Sequence, residues 1–341
     1  MRVSRGFAAA ACLVLLLAAG CASQSAAPQS THKPSSDGAR SAVPTSPHFA
    51  AISDSQLAAC SLPATTASSP LGSGVDRAGR ALTGINHERV VSVAMGAAES
   101  IAALGLGAQL VGRDLASGGA DIASVPVVTD VHSVNAEKVL ATHPTLVLID
   151  DQTTPKSALD QIAAAGVQIA VIPSAWNVAA VGTRLRSIAA ALGRPDAATS
   201  LISQCQQTFD GEPMGKVKVA FLYLRGSSAI YLVGGTGSGA DSLISAAGAI
   251  DAGAQAGFKS FTAITPEAMA TLKPDVLLVM TKGLASVGGV AGLKRLSGVG
   301  LTPAAKAGRV VAVDDTLLLA FGSKTWALVD ALSKAIADVS Q

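Results

Sequence analysis

The sequence predicts an α/β protein of two lobes with mainly parallel sheets, joined by a rigid helical connection, and three observations predict it. From Arg89 onward, short β-branched runs alternate with amphipathic helical stretches. The passage 177–210 breaks that alternation with two successive helical stretches around Gly193-Arg194-Pro195, and no strand returns before Lys216. One pattern also occurs twice, once in each half. Aromatics are only 3% of the chain while small aliphatics abound, which suits helices packed on buried parallel strands.

The chain opens MRVSRGFAAAACLVLLLAAGCAS, with Arg2 and Arg5 ahead of an apolar run that ends near Ala19. That layout is a secretory signal, too short for a comfortable membrane span. Leu17-Ala18-Ala19-Gly20-Cys21 resembles a bacterial lipobox, in which cleavage before the cysteine leaves Cys21 to be acylated. The ordinary alternative is a simple signal peptide with an incidental cysteine. Arg2 and Arg5 leave with the signal, which holds no acid, so 25 basic and 23 acidic residues become 23 of each in the mature chain. A neutral chain gives no electrostatic argument for nucleic acid, and membrane contact is expected through the lipid alone.

Residues 22 to 85 are rich in Ser, Ala, Pro, Thr and Gly without a sustained period, and read as a solvated tether. About 255 residues follow, enough for two lobes with their own cores. The expected division is a signal peptide at 1–20, a lipid-anchored flexible tether at 21–85, an N-terminal lobe at 86–176, a helical connection at 177–214 and a C-terminal lobe at 215–341. Outside the cell Cys60 and Cys205, the two remaining thiols, can pair, and such a disulfide would pin the tether's end to the body.

Strands are expected at Arg89–Ala94, Val125–Val128, Thr145–Asp150, Val167–Ile172, Lys216–Leu224, Asp275–Met280 and Arg309–Val313. The repeat aligns NAEKVLATHPTLVLI from Asn135 with TPEAMATLKPDVLLV from Thr265. Each copy has an N-cap residue, a glutamate two places later, a short helix, a proline seven after the glutamate and a buried strand, so the halves read as copies of one α/β unit. The repeat sets His143 against Lys273, at a helix end before Pro, and makes it a structural cap.

His132 has no such role. It lies in the loop TDVHSV between a buried strand and the helix capped by Asn135, where open α/β sheets place ligand contacts. Ligand and solvated loop histidine are equal readings from position alone. In the second half both tyrosines of the chain fall within FLYLRGSSAIY, residues 221–231. Tyr223 and Arg225 share a parity and so one face of the strand. A strand tyrosine is usually core with a tethered hydroxyl. A neighbouring guanidinium shifts that balance, because a nearby cation favours the phenolate, a hard oxygen ligand suited to ferric iron and known as an axial ligand of haem. Arg225 could alternatively hold a carboxylate such as a haem propionate. Tyr231, beyond a hairpin at Gly226-Ser227-Ser228, is expected to be a pocket-wall or core residue and not a ligand, lining or supporting the same wall.

Gly235-Thr236-Gly237-Ser238-Gly239-Ala240 satisfies the dinucleotide fingerprint GxGxxA and keeps an exported oxidoreductase open. The pattern is weak, because Asp251, the nearest acid for a ribose, follows no obvious second strand. A glycine turn able to accept an anionic group is the simpler reading. No GxSxG elbow or HExxH occurs, and five histidines make a hydrolytic triad or zinc site hard to assemble.

At VVTDVHSVNAEKVLATHPTLVLID, FLYLRGSSAIYLVGGTGSGADSLI and MTKGLASVGGVAGL, followed by AGRVVAVDD and FGSK, the chain resembles the haem-binding lipoproteins of bacterial ABC haem importers. They form the HmuT-like branch of the class III solute-binding proteins, whose other branches carry siderophores and corrinoids. The resemblance implies a monomeric haem receptor that is no enzyme and delivers haem to a membrane permease with its ATPase subunit. By motif match it implies His132 and Tyr223 as haem iron ligands, with Arg225 adjoining the tyrosine. It also implies that Glu137 and Glu267, one per lobe, dock onto the permease; both also sit where a helix dipole favours an acid. A ferric siderophore or corrinoid receptor would share the fold and the glutamates without needing both His132 and Tyr223.

Overall fold

The computed structural model describes residues 48–57, 60–65, 71–130, 133–207, 215–228, 230–263 and 265–341. The expected signal peptide, Cys21, most of the expected tether and His132 lie outside the described residues.

Two sheets form. The N-terminal lobe's sheet has the order β3-β2-β7-β6-β4-β5, where β2 is Gly72–Val75, β3 Ala81–Ile85, β4 Val90–Ser92, β5 Leu110–Arg113, β6 Leu146–Ile149 and β7 Gln168–Val171. The strands β5, β4, β6 and β7 run parallel, and β2 and β3 add antiparallel at the edge. The C-terminal lobe's sheet has the order β1-β13-β12-β8-β9-β11, with β10 beside β8. Its strands are β1 Phe49–Ile52, β8 Lys218–Arg225, β9 Ile230–Gly234, β10 Ile250–Asp251, β11 Phe261–Ala263, β12 Val276–Met280 and β13 Val310–Val313. Here β1, β13, β12 and β8 are parallel, and β9 and β11 return antiparallel.

The helices are α1 Ala97–Ile101, α2 Ala136–Ala141, α3 Lys156–Ala164, α4 Val181–Ala191, α5 Pro195–Gln206, α6 Ala240–Ala246, α7 Ala252–Gln255, α8 Pro266–Leu272, α9 Thr281–Ser286, α10 Gly289–Leu293, α11 Pro303–Ala307 and α12 Thr325–Ser340. Between the two sheets the chain runs through α4 and α5, two helices separated by Leu192-Gly193-Arg194.

Each sheet buries its two faces in different cores. Val91, Val147 and Ile149 of the first sheet pack outward with Val139 of α2 and Leu159 of α3. Leu222, Leu224 and Val279 of the second pack outward with Met269 of α8. The opposite parities meet in one shared cluster: Val90 and Leu148 from the first sheet, Phe221 and Leu278 from the second, Leu185 and Ile188 of α4, Leu201 of α5, and Leu328 and Leu332 of α12. At ~1.5–3 kcal/mol for each fully buried large apolar side chain, this common core makes the connection stiff.

The repeat is structural. Asn135 accepts from the Lys138 amide at 3.0 Å and Thr265 from the Ala268 amide at 3.2 Å, so both helices are N-capped alike. Both end in a left-handed residue before proline, His143 at φ 49° and Lys273 at φ 45°. The polar group that meets the last carbonyls of α2 is not the His143 imidazole but the Arg89 guanidinium, which donates to the carbonyls of Thr142 and His143 at 2.5 and 2.8 Å. The strands that follow, β6 and β12, are buried throughout.

Two expectations are corrected. Residues 49–85, read as tether, hold β1 on the C-terminal lobe's sheet and β2 and β3 on the N-terminal lobe's. Their small residues serve close packing, since a Cβ at Gly72 would lie 1.9 Å from the Ala191 carbonyl oxygen of α4. Val125–Val128 makes one isolated parallel bridge, Arg113 to Val127, in place of a strand. Pro126 in its middle has no amide to donate to a ladder.

Candidate functional site

On the C-terminal wall, Tyr223 and Arg225 stand at the carboxyl end of β8, a central strand of its sheet. The Arg225 guanidinium lies over the Tyr223 ring, 4.5 Å from its centroid, and Phe261 of β11 meets the ring edge-on at 5.6 Å. Arg225 is held in turn by Asp315, at 3.5 Å, and by the Leu224 carbonyl, to which it donates at 2.8 Å. The other Asp315 oxygen accepts from the Lys282 amide at 2.8 Å. The half-buried phenol is thus braced from two sides, and its cation is braced by the loops after β12 and β13.

Tyr231 is not on this wall. In the β8–β9 hairpin Tyr223 pairs with Leu232 and Leu224 pairs with Tyr231. Directly opposite residues share a face, so the hairpin puts Tyr231 with Leu224 on the opposite side of the sheet from Tyr223. There it packs on the outer core beside Leu222, Pro266 and Leu296. The hairpin was expected, but which face Tyr231 takes depends on its register, which puts Tyr231 opposite Leu224.

On the N-terminal side a cavity of about 350 Å³ is lined by loops that leave the carboxyl ends of β4, β5, β6 and β7, with Ala320 from the second half. Its volume falls in the range of roughly 300–1,000 Å³ usual for small-molecule sites. Asp130 and Ser133, which flank the undescribed Val131 and His132, belong to this lining. Tyr223 and Arg225 do not. At its base Arg184 of α4 donates to the carbonyls of Met95 at 2.5 Å and Pro173 at 3.1 Å, and lies 3.7 Å from Asp150. Burial pulls Arg184 below the ordinary arginine value, while Asp150, Asp114 and Glu99 act the other way. Asp114, pushed up by burial, accepts from the hydroxyl and the amide of Ser117.

This base of Asp114, Asp150 and Arg184 was missed in the sequence, where single charges in loops and one arginine in a helix carry no mark of burial. Trp176 on the cavity rim had one available signal: it is one of two tryptophans, placed where the last strand of the first lobe gives way to the connection.

The glycine turn offers no dinucleotide site. The amides of Gly237 and Gly239 donate to the Asp241 carboxylate at 2.8 and 3.0 Å, which fills the place of an anionic ligand. The preceding β9 runs antiparallel to β8, so the parallel β-α-β frame of that motif is missing, and Asp251 caps α7 through the Ala254 amide at 2.7 Å. Glu137 and Glu267 are exposed at the second positions of α2 and α8. Cys60 and Cys205 form a disulfide with Cα atoms 5.2 Å apart, tying the segment after β1 to α5.

Comparison with known proteins places the whole arrangement. No curated protein sequence matches the chain. The crystal structure of the heme binding protein HmuT is 31% identical, covers 86% of this chain and 99% of its own, and superposes with a TM-score of 0.75. The periplasmic heme-binding protein RhuT from Roseiflexus sp. RS-1, in apo form, is 35% identical over 75% of this chain and all of its own, with a TM-score of 0.68. The periplasmic heme binding protein HutB of Vibrio cholerae is 27% identical over 73% of this chain and 98% of its own, with a TM-score of 0.66. The family model described as periplasmic binding protein matches residues 90–317, which run from the start of β4 past the end of β13. With its two sheets, helical connection and ligand-sized cavity, this chain belongs to the periplasmic binding protein family.

Proposed function

We propose that the chain is an extracytoplasmic haem receptor, lipid-anchored through Cys21, which holds haem between its lobes and hands it to an ABC permease with its ATPase subunit. It works as a monomeric binding protein and not as a catalyst. Haem is the cargo, with His132 from the first lobe and Tyr223 from the second as its axial iron ligands.

One observation carries this reading: the braced tyrosine and arginine at the end of β8. Solved variants of HmuT include a tyrosine and an arginine two positions apart, each replaced by alanine, and a histidine replaced by alanine. Tyr223 and Arg225 have those residue types and that spacing, and His132 directly precedes in sequence Ser133 of the cavity lining. The donor set suits ferric iron, since a phenol oxygen and an imidazole are both known haem ligands. Arg225 orients the ring and, 34% exposed, presents part of its fork to a ligand carboxylate. The oxidoreductase reading loses its site, because Asp241 occupies the amides it needs.

The test is the absorption spectrum of the soluble form, from residue 22 on, after addition of haemin to wild type, His132→Ala and Tyr223→Ala. A Soret band shifted in wild type and altered differently in each variant is expected. Spectra indifferent to both substitutions would remove the two-ligand assignment and move the cargo toward a siderophore or corrinoid.

A further inference from the structure

Six large apolar side chains stand exposed among the described residues, and three of them gather at the two walls of the candidate site. Leu115, 51% exposed, and Trp176, 38% exposed, line the cavity of the N-terminal lobe. Ile230, 38% exposed, pairs directly with Arg225 and so shares the face of β8 that carries Tyr223. Apolar surface gathered at a ligand-sized cleft marks where a partner covers it.

Trp176 is the strongest of the three. The other tryptophan of the chain, Trp326, is buried within α12, so the cleft holds the one indole with an accessible face. Its backbone is anchored by the residues that follow it. Asn177 accepts from the Ala180 amide at 2.9 Å, capping the turn before α4, and the Val178 amide donates to the Ser242 hydroxyl of α6 at 2.9 Å. The segment is therefore pinned to the second lobe while its side chain faces the first lobe's cavity. The cation of that wall is already engaged, since Arg184 faces Asp150, while Asp130 holds Lys138 at 2.7 Å and Asp114 accepts from Ser117. Among the described residues no cation on this wall remains for a carboxylate, and an aromatic plane does.

We propose that Trp176, seconded by Leu115, is the first lobe's contact with the flat face of the porphyrin, recognising the ring itself independently of iron. This rests on the haem reading above. Recognition of the ring then comes from the first lobe's apolar side chains, beside the iron ligands proposed on both lobes.

The experiment is titration of haemin and of iron-free protoporphyrin IX into wild type, Trp176→Ala, Trp176→Phe and Tyr223→Ala. Trp176→Ala is expected to lose about tenfold in affinity for both ligands, and Trp176→Phe much less, because a second aromatic plane restores the contact. Haem-saturated Trp176→Ala should keep the wild-type Soret band, whereas Tyr223→Ala should change that band and lose more affinity for haemin than for protoporphyrin IX. Wild-type affinity of Trp176→Ala for both ligands overturns the assignment. So does a loss confined to haemin with a shifted Soret band, which would mean that the indole acts through the iron ligands. If wild type itself binds no haemin, the functional reading fails, and this inference with it.

Discussion

Glu99 is an acid with one oxygen left over. It sits on α1, where one carboxylate oxygen accepts from the Gly118 amide at 2.7 Å and the other is enclosed without a partner among the described residues. Burial pushes its carboxyl up to about 7, the charge of Asp114 adds to the rise, and Lys324 and the amide bonds oppose it. The folded protein therefore keeps a proton that the unfolded chain releases near pH 4.5, so stability falls as pH rises from 4.5 to 7, by up to about 3 kcal/mol, and stays lost above. Asp251, pushed to about 6 chiefly by burial, adds a loss of the same sign between pH 3.8 and 6. Glu99→Gln should flatten the decline between pH 5 and 7 and leave the variant more stable than wild type at pH 8. Urea unfolding midpoints at pH 5 and 8 check this, and an unchanged slope would assign it elsewhere. Nothing in the run MGAAES announces such a residue, because burial of a polar side chain is set by a loop twenty positions away. The pair Tyr223 and Arg225 was legible, since one strand's parity alone puts them together, whereas placing Tyr231 needed the hairpin's register.

At the scale of elements, the strands read from sequence are those buried on both faces. β6, β12 and β13 are unbroken aliphatic runs, and their periodicity survives any arrangement of neighbours. β1, β2 and β3 read FAAI, GSGV and ALTGI, compositions that favour no particular state, and they become strands by pairing onto sheet edges that the rest of the chain builds. Their placement makes residues 53–71 a second crossing between the sheets, alongside α4 and α5. The Cys60–Cys205 disulfide joins the two crossings and closes a loop of 145 positions in sequence. Tying so long a loop restricts the unfolded chain strongly, and the double variant Cys60→Ser with Cys205→Ser is expected to lose about 2–5 kcal/mol. Denaturant midpoints of wild type and double variant under non-reducing conditions measure this. Equal midpoints would show that the shared core alone holds the crossings together.

At the scale of the whole molecule, the repeat turns a local motif into a geometry. α2 and α8 are capped in the same way, end in the same left-handed turn, lead into equivalent strands and present Glu137 and Glu267 at the same exposed position. Neither glutamate makes an ion pair among the described residues, whereas Asp130, Asp150 and Asp315 each face a cation of their own lobe. Two unpaired acids at equivalent places of two similar lobes suit a partner with its own two-fold symmetry, such as a permease dimer with a basic residue at each docking point. The stiff connection adds to this, because lobes that share one core hold the two acids in a defined relation. Each acid also favours the dipole of its helix, by about 0.3–1 kcal/mol, so Glu137→Lys and Glu267→Lys should each destabilise the isolated protein by roughly twice that, which leaves it folded. The expected outcome is that the double reversal leaves the haemin titration and the Soret band unchanged and abolishes haem-dependent growth of cells carrying it, with each single reversal in between. Growth equal to wild type would leave both glutamates as helix-end acids and place the permease contact elsewhere on the lobes.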